Sequence, residues 1–183
     1  MAGNSNVGKT SFISRIDNEM QKNQYLPIGA AYVTKKMQIE GKSVTAQLWD
    51  IYQGEYFRLP SPIYYRGAYG IILLYDITNR KSFKELSTWL DHVRELADPE
   101  VVIMLIGSKC DLEETRNISI EEGIEFSNKE NLIFFETSSL KNINVHGSFS
   151  YLVTRIYQIH INDPQKKKQD NNQKETKSLC NLS

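Results

Sequence analysis

Charge of a prevailing sign, cysteine and long apolar runs are all scarce in this chain of 183 residues. Lysine plus arginine and aspartate plus glutamate number 22 each, so the formal net charge is zero and no basic excess points to a nucleic-acid partner. The one basic cluster is Lys166-Lys167-Lys168. Two cysteines, Cys110 and Cys180, are too few for a disulfide framework. No apolar run approaches the roughly 18 residues of a membrane-spanning helix, and the first residues lack the charged and apolar regions of a signal peptide. The chain is therefore expected in the cytosol, where the Asn-x-Ser triplets at Asn117 and Asn181 are chance matches. No internal repeat occurs. With 40% hydrophobic and 24% charged residues, the composition suits one globular domain with a buried core.

Against this plain background one stretch carries chemistry. Gly3-Asn4-Ser5-Asn6-Val7-Gly8-Lys9-Thr10 fits the phosphate-binding pattern G-x-x-x-x-G-K-[ST] without a mismatch and runs into a helical pattern from Ser11. Glycines let successive backbone N–H groups turn inward around phosphate, the lysine adds a charge between the outer phosphates, and the threonine hydroxyl can ligate Mg²⁺. The stretch marks a nucleoside triphosphate site.

The rest of the chain alternates strand and helix signals. Residues 32–39 and 44–49 flank Glu40-Gly41-Lys42 and read as a hairpin. Gly70-Ile71-Ile72-Leu73-Leu74-Tyr75, Val101-Val102-Ile103-Met104-Leu105-Ile106 and Leu132-Ile133-Phe134-Phe135 are short continuous apolar runs, as strands buried on both faces require. Helices are expected over 81–96 and 119–128, the second opened by a capping box of Ser119 and Glu122. A last helix carries Val145, Phe149, Leu152, Val153 and Ile156 on one stripe. This is an α/β chain with a mostly parallel sheet. The periodicity stops after Ile161, so residues 1–161 read as the domain and 162–183 as a polar, disordered tail.

Two further motifs bear on which base such a site would take. Trp49-Asp50 closes a strand, where a carboxylate can hold a water of the Mg²⁺ shell. Ser108-Lys109-Cys110-Asp111 follows a buried strand and emerges at the carboxyl edge of the sheet, where nucleotides sit in this architecture. An aspartate there accepts both N1–H and the exocyclic amine of guanine, a donor pair that adenine lacks.

At this point the chain resembles the Rab branch of the small Ras-like GTPases over about residues 3–161. The markers are Tyr64-Tyr65-Arg66-Gly67-Ala68, Leu74-Tyr75-Asp76-Ile77-Thr78 followed by Ser82-Phe83, and Ile28-Gly29 before Tyr32. The resemblance implies a Ras-like P-loop fold that holds GTP or GDP with Mg²⁺. It assigns the nucleotide to Gly3, Asn4, Ser5, Asn6, Val7, Gly8, Lys9, Thr10, Ser11, Asp50, Ser108, Lys109, Asp111, Ser138, Ser139 and Leu140, and the metal to Thr10 and Asp50. Ser138 matches the family's S-A-K loop, whereas Ser139 and Leu140 depart from it. Tyr32, Trp49 and Tyr64 match the aromatic triad that Rab proteins present to effectors. A monomer is implied, met by Rab-type effectors and regulators.

Several departures fall on the switches. Pro27 stands where the family has a threonine that binds Mg²⁺ and senses the γ-phosphate, and proline offers neither hydroxyl nor N–H. The second switch reads Asp50-Ile51-Tyr52-Gln53-Gly54-Glu55, so the sensing glycine is replaced by Gln53 and the water-orienting glutamine by Gly54. Pro60 and Pro62 restrict the backbone beyond it. Ser108 replaces asparagine, a milder change because a hydroxyl can still bond the neighbouring loop. The cradle survives and the γ-phosphate sensors do not, so nucleotide binding is expected with weak or absent hydrolysis, and no catalytic residue is assigned.

The two ends carry separate expectations. Only Met1 and Ala2 precede Gly3, and two residues span under about 8 Å. The first strand of the family's sheet is thus expected to be missing, as in a shortened chain, unless its neighbouring strands pair directly. Cys180-Asn181-Leu182-Ser183 fits a prenylation motif of the C-a-a-X kind, and the upstream lysines can add attraction to anionic lipid. Three functions stay open: a prenylated Rab-like switch peripheral on cytosolic membrane faces in vesicle traffic, a pseudo-GTPase that binds without turnover, and an ATP-using P-loop phosphotransferase.

Overall fold

Residues 1–17, 24–26, 30–51 and 62–161 are described by a computed structural model. The switch positions Pro27, Gln53, Gly54 and Pro60, the marker Ile28-Gly29, and the tail with its lysines and Cys180 lie outside the described residues.

The strands form two sheets. β1 (Gln24–Leu26), β2 (Ala30–Ile39) and β3 (Lys42–Ile51) make an antiparallel meander, with Glu40 and Gly41 at positive φ in the tight turn between β2 and β3. β4 (Gly70–Asp76), β5 (Val102–Ser108) and β6 (Ile133–Thr137) make a parallel sheet in that order. The three apolar runs are thus parallel strands and the hairpin is antiparallel, as their patterns require. β1 had no signal of its own.

Met1 and Ala2 lie between the two sheets. The Met1 amine donates to the Trp49 carbonyl at 3.0 Å. Ala2 bridges Leu73 in parallel fashion, its N–H donating to Ile72 O at 2.8 Å and its carbonyl accepting from Leu74 N at 2.9 Å. These contacts satisfy backbone groups on both neighbouring strands that would otherwise be buried without partners. Direct pairing of β3 with β4, the alternative weighed above, does not form among the described residues.

Both faces of the parallel sheet are covered. Ile72 and Leu74 of β4 with Met104 and Ile106 of β5 face α1 (Lys9–Ile16) and α5 (Val145–Ile156), which contribute Phe12, Ile13, Ile16, Val145, Phe149, Leu152 and Val153. Ile71, Leu73 and Tyr75 with Leu105 face the opposite way. They meet Leu86, Trp89, Leu90 and Val93 of α3 (Leu86–Leu96). The alternation is the period of two of an extended chain, here apolar on both sides. The expected helix over 81–96 is in fact two, α2 (Arg80–Lys84) and α3, joined at Glu85. Asn79 caps α2 by accepting from Lys81 and Ser82 N–H. The capping box of α4 (Ile120–Glu130) forms as read from the sequence: Ser119 Oγ accepts from Glu122 N at 3.2 Å, and Glu122 Oε2 accepts from Ser119 N at 3.0 Å.

Candidate nucleotide site

The phosphate-binding stretch is bent by its glycines and anchored by its one apolar residue. Gly3 has φ 128°, and a Cβ there would stand 2.3 Å from the Leu74 carbonyl oxygen, so only glycine lets the loop pass this close to β4. Gly8, at φ 96° and ψ 18°, turns the chain into α1, where Phe12 N donates back to its carbonyl at 2.9 Å. Val7 between them is 1% exposed and pins the loop to the core. Asn4 is held from outside: its Oδ1 accepts from Trp89 Nε1 at 2.7 Å and its Nδ2 donates to Glu85 Oε2 at 2.6 Å. The break between α2 and α3 therefore places a carboxylate against the loop.

Lys9 and Thr10 open α1 side by side. Lys9 Nζ donates to the Gly3 and Asn4 carbonyls at 2.8 and 2.6 Å, curling over the loop. Burial lowers its pKa, which Asp50 partly offsets. Thr10 Oγ1 donates to Asp50 Oδ2 at 2.7 Å, so the two residues proposed for the metal are in contact across 40 positions of sequence. Both offer hard oxygen donors, the donor chemistry that Mg²⁺ prefers, and two protein ligands leave the remaining positions of an octahedron to water and phosphate. The Met1 amine lies near both Asp50 and Lys9, and burial lowers its pKa to about 6.

The other side of the site is assembled from three distant segments. Ser108, 6% exposed at the end of β5, points its hydroxyl at the Val7 carbonyl at 2.6 Å and the Tyr75 carbonyl at 2.8 Å. The neighbouring-loop bond expected of a hydroxyl in place of asparagine is present. Lys109 is at φ 63°, and its Nζ pairs with buried Asp76, whose Oδ1 accepts from Thr78 N and Oγ1. Cys110 N donates to Thr137 O at 3.1 Å, tying the loop after β5 to the end of β6. The half-buried carboxylate of Asp111 takes no hydrogen bond among the described residues, which leaves it available to a ligand.

Ser138 is fully buried and closes the adjacent loop through mutual backbone bonds with Ile143 at 3.0 and 2.9 Å. Its Oγ accepts from Lys141 N at 2.9 Å. Arg15 of α1 donates to the Ser139 carbonyl at 2.7 Å and to the Leu140 carbonyl at 3.1 Å, while the Leu140 side chain is 77% exposed. An open cleft of about 440 Å³ runs between these groups, lined by Thr10, Ser11, Ser14, Arg15, Ser139 and Leu140. Beneath the loops, Arg116 forms a bidentate pair with Glu136 at 2.7 and 2.8 Å and a second pair with Glu113. The Glu136 hydrogen bonds hold the guanidinium above its usual range. Arg15, Arg116, Trp89 and Glu85 carry no site signal in the sequence, because none belongs to a local motif.

Of the three aromatics matched to an effector triad, Trp49 directly precedes Asp50 in β3. Tyr32 and Trp49 are direct cross-strand partners of β2 and β3, and their rings stack with centroids 4.9 Å apart and planes inclined by 28°. Tyr64 ends a single 3₁₀ turn, Pro62–Tyr64, and is half-buried. Tyr65 beside it is 3% exposed, with its ring edge-on to His92. The second tyrosine of the pair is therefore core. Among the described residues, no helix is long and apolar enough to cross a membrane.

Comparison with known proteins is consistent over nearly the whole described region. Residues 1–158 match the Ras family. The chain is 43% identical over 160 residues to the Ras-related protein RABA4d of Arabidopsis thaliana, covering 87% of this chain and 72% of that one. It is 44% identical over 156 residues to RABA5e of the same plant, covering 85% and 72%. To the Ras-related protein Rab11E of Lotus japonicus it is 41% identical over 160 residues, covering 87% and 73%.

Proposed function

The chain belongs to the Ras family of small GTPases and to its Rab branch, and from that membership we propose that it holds GDP and GTP with Mg²⁺ through the residues assembled above. The loop N–H groups from Gly3 to Gly8 and the Lys9 amine take the phosphates, and Ser11 follows them into α1. Thr10 and Asp50 hold the metal, whose positive charge offsets that of the phosphates. Lys109 and Asp111 take the base together with the loop of Ser138, Ser139 and Leu140. The carrying observation is the Ser108 hydroxyl on the Val7 carbonyl at 2.6 Å. It joins the end of β5 to the phosphate loop, which supports reading the two motifs as one site. Displacement of a fluorescent GDP analogue by GDP and by ADP tests this reading. GDP should compete far better, and equal competition would remove the guanine assignment.

Turnover is proposed to be weak or absent. This reading is supported by Pro27, Gln53 and Gly54, which replace a metal ligand, a γ-phosphate sensor and the water-orienting amide. Even with those groups, intrinsic hydrolysis in Ras is only about 10⁻⁴ to 10⁻³ s⁻¹. The same departures favour a second reading, a pseudo-GTPase that binds constitutively and does not cycle. The Asp111 carboxylate speaks against an ATP-using phosphotransferase. We further propose a monomer that regulates vesicle traffic by recruiting effectors to the stacked Tyr32 and Trp49 with Tyr64. Its membrane anchor would be a prenyl group on Cys180, helped by the tail lysines, on cytosolic faces and with no nucleic-acid partner.

A further inference from the structure

The geometry points to Arg15 as a positioning residue that sets the base-side loop from the phosphate-side helix and so carries part of the pocket's choice of a 6-oxo over a 6-amino purine. The inference rests on the guanine-nucleotide reading above. It starts from how the loop of Ser139 and Leu140 is held. The inner end is closed by the mutual backbone bonds of Ser138 and Ile143 and by Lys141 N on Ser138 Oγ. Among the described residues the outer end has only Arg15, through Nε on the Ser139 carbonyl at 2.7 Å and Nη2 on the Leu140 carbonyl at 3.1 Å. The Leu140 side chain, 77% exposed, adds no packing there.

A trans peptide points its C=O and N–H in opposite directions, and no cis bond occurs among the described residues. Arg15 draws the Ser139 carbonyl toward α1, so the N–H of Leu140 in the same peptide is turned away from α1. The preceding peptide is fixed likewise by Ile143, whose N–H donates to the Ser138 carbonyl and leaves the Ser139 N–H facing away from Ile143. No hydrogen bond among the described residues uses either donor. Two N–H groups fixed in this way donate to a keto oxygen and oppose an exocyclic amine. Phe12, Ile13 and Ile16 bury α1 in the core, so the guanidinium is presented from a rigid support. The two carbonyl contacts are charge-assisted and planar, which a single ammonium reproduces only in part.

Calorimetry of the full chain in Mg²⁺ with GDP, IDP and 2,6-diaminopurine riboside diphosphate tests this on wild type, Arg15→Ala and Arg15→Lys. In Arg15→Ala the preference for GDP over the diaminopurine nucleotide should fall about tenfold, the size of one neutral hydrogen bond to the 6-oxo group. The preference for GDP over IDP, which reports the amine read by Asp111, should stay unchanged. Arg15→Lys should be intermediate. If both preferences hold in Arg15→Ala, or both fall in parallel as in a general loosening of the fold, the role assigned to Arg15 is wrong while the guanine site stands. A wild-type protein that binds all three alike would overturn the guanine site and the role of Arg15 with it.

Discussion

The proposed phosphate side of the site and its proposed base side are built by opposite means. The phosphate side is eight consecutive residues bent by Gly3 and Gly8, anchored by Val7 and continued as α1. The base side is gathered from the ends of β5 and β6 and from α1, and it stands on side-chain links across long stretches of sequence: Ser108 to Val7, Arg116 to Glu136, Arg15 to Ser139 and Leu140. A contiguous loop carries its own geometry. An assembled one depends on every link, so affinity for phosphate and selectivity for a base should fail separately.

The largest separation is expected from Arg116→Met. Glu136, with its side chain 10% exposed, would lose a bidentate partner and remain as a buried charge. Removing one member of such a pair should cost roughly 3 kcal/mol of stability, visible as a lower midpoint in urea unfolding. Because the phosphate loop does not depend on this pair, the purified folded fraction should keep inorganic-pyrophosphate binding while losing base preference. A variant of unchanged midpoint would show that the base side does not stand on this link.

Lys9→Ala breaks the comparison from the other direction. It removes the one lysine of the phosphate loop, and GDP affinity by calorimetry should drop about thirtyfold, the value of a charge-assisted contact of about 2 kcal/mol. The ratio of GDP to ADP affinity should not move, since the amine touches no base. Wild-type affinity in this variant would show that Lys9 does not hold the phosphates.

Asp111→Ala should do the reverse, lowering the preference for GDP over ADP about tenfold by leaving the guanine donor pair without an acceptor. Pyrophosphate should bind as before. A preference that survives would move the base reading to other groups. The smallest effect is expected of Ser108→Ala, which deletes the hydroxyl that joins the two sides. Loss of about 1 kcal/mol should appear in both GDP affinity and base preference, and an effect on only one would show that the sides are not coupled through Val7.

Much of this was legible in the sequence because the signals were local. The period-two and continuous apolar runs named β2 to β6, the capping box named the start of α4, and the stripe of Val145, Phe149, Leu152 and Val153 named the buried face of α5. Glycine spacing named the phosphate loop for the same reason: backbone freedom is a property of each residue. The apolar period over 81–96 predicts one helix because it runs through Glu85, where a turn at φ −82° and ψ −3° starts a new helix and turns a carboxylate onto Asn4. Likewise β1 is three residues long, too short for a period to register.

The sequence by itself thus determined the α/β alternation, the glycine-bent loop that opens α1 and the membership of the family, all of which rest on spacing and residue type along the chain. Only the tertiary structure decided that Met1 and Ala2 bridge the gap between two sheets, that Thr10 meets Asp50, that Tyr32 stacks on Trp49 while Tyr65 is buried, and that Arg15 and Arg116 hold the base side together. These contacts join residues tens of positions apart, and their energy depends on burial and on the direction of each donor. Neither exists until the chain has folded and brought both partners out of water.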